Sequence, residues 1–348
     1  MPAGWERPSL RRRRLLQWGM TLPALPLIGG AASPPPFDTP PRLLIAGPES
    51  ADLQNWARKI AHVLDNAMSG ASVTQLETVG GADGVTAANR FDARIAPDGQ
   101  TALLITGAAP LAWLAGDPRA QFDPARWVPV LAGQTPCILL LRQGATPPFR
   151  LPSDTLMGPE LAVALGLDIT GRPSVMVPAV GDAISAMAQG QIDAVLLRGP
   201  SAVTQAMRAL EPGPTGPWAQ AFNLSSIAAA EPGRAMPPIP ADLPSLADEI
   251  QAKVAGADLM TLQQGWRAVT AAAQLEFALV LPALTPASIV SWWRTTLSPL
   301  TAEPDTTPGL TLLSYPRDGG LLTRLSLDAD ASLRLRQWIL ERGKTGGR

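Results

Sequence analysis

One cysteine, Cys137, and one histidine, His62, are all that this 348-residue chain offers to thiolate or imidazole chemistry. Histidine and cysteine clusters around a metal, and a paired cysteine and histidine for nucleophilic attack, therefore have no raw material. No intrachain disulfide can form. Cys137 lies in the apolar run Pro136-Cys-Ile-Leu-Leu-Leu and reads as a small buried hydrophobe. His62 falls on the face of an expected helix. A Gly-x-Ser-x-Gly elbow is missing, which speaks against a serine hydrolase. The glycines of Gly80-Gly81-Ala82-Asp83-Gly84 do not meet the spacing of a dinucleotide fingerprint. No cofactor and no metal is expected.

Charge is scarce as well, at 16% of residues, with little lysine. What the chain has instead is 46% hydrophobic residues, 37 prolines and 31 glycines, the composition of a loop-rich globular protein long enough for two domains. The first 32 residues read as an export signal. Arg11 to Arg14 form the positive region, Leu15 to Ile28 a modest apolar core, and Gly29-Gly30-Ala31-Ala32-Ser33 a small-residue cleavage region. Arg-Arg-x-Leu-Leu-Gln within it suits a twin-arginine signal. Pro23 and Pro26 break the apolar run too early for a membrane span. No cysteine follows to carry a lipid. Removing residues 1–32 takes away five arginines and one glutamate and leaves 23 basic against 28 acidic residues. That acidic balance gives no reason to expect nucleic-acid binding. Residues 33–41 read as a Pro-rich joint.

The stretch Leu76 to Thr106 organises the rest. A short strand ends at Val79, glycines turn the chain, Val85–Arg94 winds as a helix, and Pro97-Asp98-Gly99 turns it again into a strand at Thr101–Thr106. Ahead of it, Arg42–Ala46 reads as a buried strand and Ser50 as the N-cap of a helix over Ala51–Asn66, whose Leu53, Trp56, Ile60, Val63 and Leu64 recur at helical spacing. Beyond it, Cys137–Leu141 and Ser174–Pro178 read as strands, Gly144 to Pro152 as a linker by composition, and Asp182–Gln189 as a helix. Asp193 is assigned to a turn and strand start. Ala247 to Ala273 reads as helical with a break near Gly256 or Gly265, Glu303–Gly320 as irregular, and Ala329–Arg342 as a terminal helix with Leu333, Leu335, Trp338, Ile339 and Leu340 available for docking.

Gly-Gly-Ala-Asp-Gly before a helix, Ala96-Pro97-Asp98-Gly99-Gln100-Thr101, Phe122-Asp123-Pro124 to Val130, and Gly190-Gln191-Ile192-Asp193 resemble segments of the tripartite tricarboxylate transporter receptors, the Bug-type solute receptors. The resemblance runs from about Pro41 to Ser298. It implies a two-domain α/β fold of the type II periplasmic binding protein kind, with a ligand cleft between the domains. The expected division is 42–140 with 276–348 for domain 1 and 141–275 for domain 2. It further implies a monomeric, non-enzymatic receptor in the periplasm that captures a small organic solute, of carboxylate class, and passes it to membrane components of the transporter. The expected site residues are Pro48, Glu49, Ser50 and Asp52 after the first strand, Gly107, then Ser153, Asp154 and Thr155, and finally Val180, Gly181 and Asp182. The other reading is an exported interaction or sensory protein that keeps the receptor fold with altered or lost ligand binding.

Charge modifies the expected ligand. Helix N-termini at the ends of strands favour an anion, whereas Glu49, Asp52, Asp154 and Asp182 oppose one. A neutral, zwitterionic or amine-bearing solute is expected over a free tricarboxylate. The export reading predicts that the secreted protein, weighed intact by mass spectrometry, lacks residues 1–32. A product that begins upstream of Leu22, or that stays with the membrane after a salt wash, contradicts it.

Overall fold

The computed structural model describes residues 36–37, 39–47, 50–68, 73–155, 157–211, 218–224, 243–302, 309–315 and 320–345. The export signal lies outside them. Residues 34–348 form one compact unit.

Strand β1 (Arg42–Ala46) is apolar and buried on both faces, as a central strand must be when helices cover both sides. It pairs in parallel with β2 (Gln75–Val79) and β3 (Thr101–Ile105). Helix α1 (Ala51–Ala67) joins β1 to β2, and its Leu53, Trp56, Ala57, Ile60 and Leu64 are buried against the sheet. Ser50 caps it, accepting the Leu53 N–H at 3.3 Å. Helix α2 (Val85–Arg94) joins β2 to β3, and α3 (Ala108–Ala115) follows. Two antiparallel strands complete this side of the sheet: β4 (Val128–Gln134) and, much later in the chain, β10 (Leu275–Leu281).

The chain leaves the first sheet after Gln134. Strand β5 (Cys137–Arg142) is the middle of a second, antiparallel sheet, flanked by β8 (Ala194–Arg198) and β9 (Ala219–Asn223). Strands β6 (Phe149–Pro152) and β7 (Ser174–Val177) pair in parallel beside it. The stretch read as a linker thus contains a strand, because Phe149 and Leu151 are buried in the core. Helix α4 (Glu160–Ile169) links β6 to β7 and is almost wholly apolar; α5 (Ala183–Ala188) and α6 (Ala202–Leu210) cover the other face. Helices α7 (Leu246–Lys253) and α8 (Ala257–Gln274) return the chain to β10, with the expected break at Gly256 rather than Gly265.

Helix α9 (Ala287–Ala302) packs beside α1. Strand β11 (Thr311–Ser314) then adds to β4 at the sheet edge, giving the order β11-β4-β10-β3-β1-β2. A segment expected to be irregular is therefore partly sheet, since pairing with β4 satisfies the backbone groups of a Thr-Leu-Leu-Ser run too short to announce a strand by itself. A short α10 (Gly320–Thr323) leads to α11 (Ala329–Thr345), which packs on α8 and α3. Of its five expected docking residues, Leu335, Trp338 and Ile339 are buried, while Leu333 and Leu340 face solvent. No helix among the described residues is long and apolar enough to cross a membrane.

The result is a bilobed α/β fold in which the layer of α2, α3, α4, α8 and α11 shares a single hydrophobic cluster with both sheets. Asp193 ties the second lobe together. Its carboxylate accepts from Arg150 Nε at 2.6 Å, Arg150 N–H at 3.2 Å and Arg142 Nε at 3.0 Å, stapling β5, β6 and the start of β8. Arg150, seconded by Arg142, holds this carboxyl well below the usual range. A depressed carboxylate stabilises the fold above its unfolded pKa of about 4 and loses that contribution as pH falls through lower values. Asp193→Ala is expected to lower unfolding free energy at pH 7 by about 2 kcal/mol, since it strands two partly buried guanidiniums. The gap between variant and wild type in urea melts should shrink from pH 5 towards pH 2; a gap that is unchanged there removes the ion pair as its cause.

Candidate ligand-binding site

Among the described residues two crossings connect the lobes, and they lie side by side. On the way out the chain runs Gln134-Thr135-Pro136-Cys137; on the way back it runs Ala273-Gln274-Leu275. Gln134 Nε2 donates to Gln274 Oε1 at 3.0 Å, and the Thr135 N–H donates to the Gln274 carbonyl at 2.9 Å. Gly107 stands against the same junction, its N–H donating to the Leu275 carbonyl at 3.2 Å. A Cβ at position 107 would lie 1.9 Å from the Ala272 carbonyl oxygen, so close approach requires glycine here.

Three charged side chains gather around these crossings. Arg198, the last residue of β8, donates from Nε to the Ala273 carbonyl at 2.8 Å, and the Cys137 thiol donates to the same oxygen at 3.5 Å. Burial pushes the Cys137 thiol up to about 11, against the opposing charge of Arg198. Glu160 opens α4, with Oε2 3.4 Å from the Ser153 hydroxyl that donates to it. Burial raises its carboxyl, while its own N–H, Arg198 and Ser153 oppose the shift. Glu276 follows the return crossing. Burial raises its carboxyl too; Arg198 opposes this and Asp52 adds to it. Among the described residues neither glutamate has a cation within 4 Å, and Glu276 has no hydrogen-bond partner. A half-buried carboxylate without a partner is costly, which makes Glu276, on the lining of a pocket, a candidate binding group.

That pocket has a volume of about 400 Å³ and straddles the lobes. Asp52, Asn55, Trp56 and Lys59, one face of α1, form a wall; Glu276, Leu310 and Pro200, just beyond β8, form the others. The Lys59 ammonium sits 4.4 Å from the centre of the Trp56 ring. Gly309 closes one flank, for a Cβ there would lie 2.4 Å from the Pro200 carbonyl oxygen. A larger groove of about 950 Å³ runs between α9 and β11 on the outer face. It lies by Val128 at the start of β4 and Ser314 at the end of β11, away from the crossing residues Gln134 and Gln274 at the opposite end of β4, and its Arg294 is already committed to the Pro129 carbonyl at 2.7 Å.

The residues expected from sequence are dispersed around this centre. Asp52 lines the pocket. Pro48 and Glu49 lie outside the described residues. Ser50 is occupied as a helix cap. Ser153 and Thr155 form a local turn, the Ser153 hydroxyl donating to the Thr155 carbonyl at 2.8 Å, and Ser153 alone of the two reaches Glu160. Asp154 accepts the Ala179 N–H at 3.0 Å, fastening the loop after β6 to the loop after β7. Asp182 caps α5, accepting from the Ser185 N–H at 3.1 Å, and the Ser185 bonds hold its carboxyl low. Val180 is half-buried, packed partly on the α5 side of the core; Gly181 is exposed with open space around it. Gly107 abuts the return crossing. Sequence reasoning missed Glu160, Arg198 and Glu276. Their signal is position: a charged residue at the end of an otherwise apolar strand, at the start of one, or at the start of an apolar helix.

No protein-family model and no curated protein matches this chain. Solved structures do match it. MatC from Rhodopseudomonas palustris, solved with bound malate, is 18% identical with a TM-score of 0.51, over 87% of this chain and 100% of that one. A TctC solute binding protein from Polaromonas, solved with no ligand, is 14% identical with a TM-score of 0.57, over 87% and 98% of the two chains. The fold is that of a type II periplasmic binding protein. In this fold the pocket at Asp52, Pro200 and Glu276 occupies the space between the lobes, beside the crossings that a closing motion would bend.

The Glu276 carboxyl gives the site a testable signature. Because its folded pKa is raised, ionising it costs stability as pH rises through that value. Glu276→Gln is expected to stabilise the empty protein at pH 7 by on the order of 1 kcal/mol, and the gain should vanish below about pH 4. Thermal melts at both pH values check this. A variant less stable than wild type at pH 7 shows that the carboxylate has a structural partner.

Proposed function

We propose that this protein is an extracytoplasmic receptor that captures a small organic solute between its lobes and delivers it to the membrane components of a tripartite tricarboxylate-type transporter. The observation that carries the reading is the pocket at the lobe junction, lined by Asp52, Asn55 and Trp56 of α1, Glu276 just past the return crossing and Pro200 just past β8. The fold likeness to MatC with bound malate and to the TctC solute binding protein supports the same reading, as do the sequence segments shared with Bug-type receptors and the export signal. Function here is capture and closure, without chemistry. The site fits a monomer, since both walls of the pocket come from one chain. The lobes are taken to part at Gln134–Cys137 and Ala273–Glu276, and closure is taken to bring Pro200 and Glu160 towards α1.

The test is a ligand screen by thermal shift on the protein lacking residues 1–32, with carboxylates, amino acids, amines and sugars, followed by calorimetry and small-angle scattering. At a hundredfold excess over Kd a true solute should add about 2.7 kcal/mol of stability and reduce the radius of gyration. Silence across all four classes, with no compaction, sinks the receptor reading and leaves an exported interaction or sensory protein in its place.

A further inference from the structure

The groove between α9 and β11 holds a cation for which the described residues supply no counter-charge. Arg294 of α9 lines the groove and is half-buried. Its Nε and Nη2 both donate to the Pro129 carbonyl, at 3.2 and 2.7 Å. Pro129 stands in β4 beyond the last rung with β11, which pairs Ser314 with Leu131, and there a side chain meets the carbonyl. Two nitrogens on one oxygen occupy one edge of the guanidinium and fix its plane. The outer edge stays open, for Nη1 makes no hydrogen bond among the described residues and is not sealed from solvent. No carboxylate among the described residues lies within 4 Å of Arg294. Burial pulls the guanidinium below its ordinary value, and only Tyr315 acts upward. A cation drawn out of water in this way favours an anionic partner.

Three hydroxyls on the lining have the opposite sense. Thr285 Oγ1 donates to the Pro282 carbonyl at 2.8 Å, Ser298 Oγ to the Thr295 carbonyl at 2.8 Å, and Thr301 Oγ1 to the Ser298 carbonyl at 2.9 Å. The Ser298 bond has a cause in the sequence: Pro299 lies inside α9 and has no N–H to offer the Thr295 carbonyl. With their hydrogens spent on the backbone, these oxygens present lone pairs to a ligand. Arg294, Ser298 and Thr301 follow at i, i+4 and i+7, so the cation and two of the acceptors share one face of the helix. A bare oxyanion pairs with Arg294 but meets acceptors it cannot satisfy. A neutral polyol donates to the acceptors but leaves the guanidinium uncompensated. We propose that the groove is a second binding site, for a sugar or similar polyol bearing one oxyanion, a carboxylate or a phosphate ester. The anion takes the outer edge of Arg294, and the ligand hydroxyls donate to Ser298 and Thr301. The site stands apart from the interlobe pocket and does not rest on the receptor reading.

Glucuronate, glucose 6-phosphate, glucose, glucosamine and inorganic phosphate, each titrated calorimetrically into the protein lacking residues 1–32, separate the anion from the hydroxyls. At least one of the two sugar acids is expected to bind about tenfold tighter than glucose, as a hydrogen bond to a charged group implies; glucosamine and inorganic phosphate should bind more weakly than that acid. Arg294→Gln should bring the acid down to the level of glucose, with a thermal melt to show that the variant is folded. Should that variant fail to fold because the Pro129 carbonyl loses its partner, Thr301→Val decides. It removes one acceptor, leaves the Arg294 bond in place, and is expected to weaken the acid about fivefold. Glucose binding as tightly as both acids, inorganic phosphate binding as tightly as either, or silence from both acids at millimolar concentration overturns the proposal. So does an acid whose affinity is unchanged in the folded variants, because its site is then elsewhere, the interlobe pocket included.

Discussion

The buried amide pair of Gln134 and Gln274 is the constraint on which the rest of this molecule depends. Each belongs to one of the two crossings between the lobes, and Gln134 Nε2 donates to Gln274 Oε1 in a place closed to water. A buried amide left without its partner costs on the order of 1–3 kcal/mol, so the crossings must stay in register. That register sets where the Ala273 carbonyl points, and through it the aim of Arg198 and the seat of the Cys137 thiol. It also demands glycine at 107, since any side chain there would push the two strands apart.

The central helical layer has a related role. Because α3, α4, α8 and α11 contribute to one hydrophobic cluster with strands of both sheets, the lobes are not separate globules joined by string. Close-packed interiors resist continuous deformation, which favours bending at the crossings over shear within the layer. The acidic groups carry the opposite tendency. Asp193 is paired with two arginines and contributes to stability, whereas Glu160 and Glu276 are held half-buried at a cost.

Much of this was legible in the sequence where periodicity and punctuation agree. The βαβ stretch from β2 to β3, the Ser50 cap, the apolar stripe of α1, the buried strands around Cys137 and the structural task of Asp193 follow from local pattern, and the bilobed fold follows from the family-like segments. The misses share a cause. Strands β6 and β11 are four residues long and owe their existence to partners distant in the chain, so proline and glycine nearby outweighed a weak signal. Among the expected site residues, a loop aspartate can end on a neighbouring N–H, as Asp154 and Asp182 do. Arg198, Glu160 and Glu276 sit at the ends of apolar elements, where a single charge is easily taken for a solvent-facing terminus.

The contact of Gly309 with Pro200 joins parts of the chain far apart in sequence. A Cβ at 309 would lie 2.4 Å from the Pro200 carbonyl oxygen, so the backbone before β11 presses on the turn after β8. An edge strand of the first sheet is thereby pinned to the second lobe. A side chain placed at 309 would be felt in both lobes at once, as a loosened edge strand in one and a displaced turn in the other.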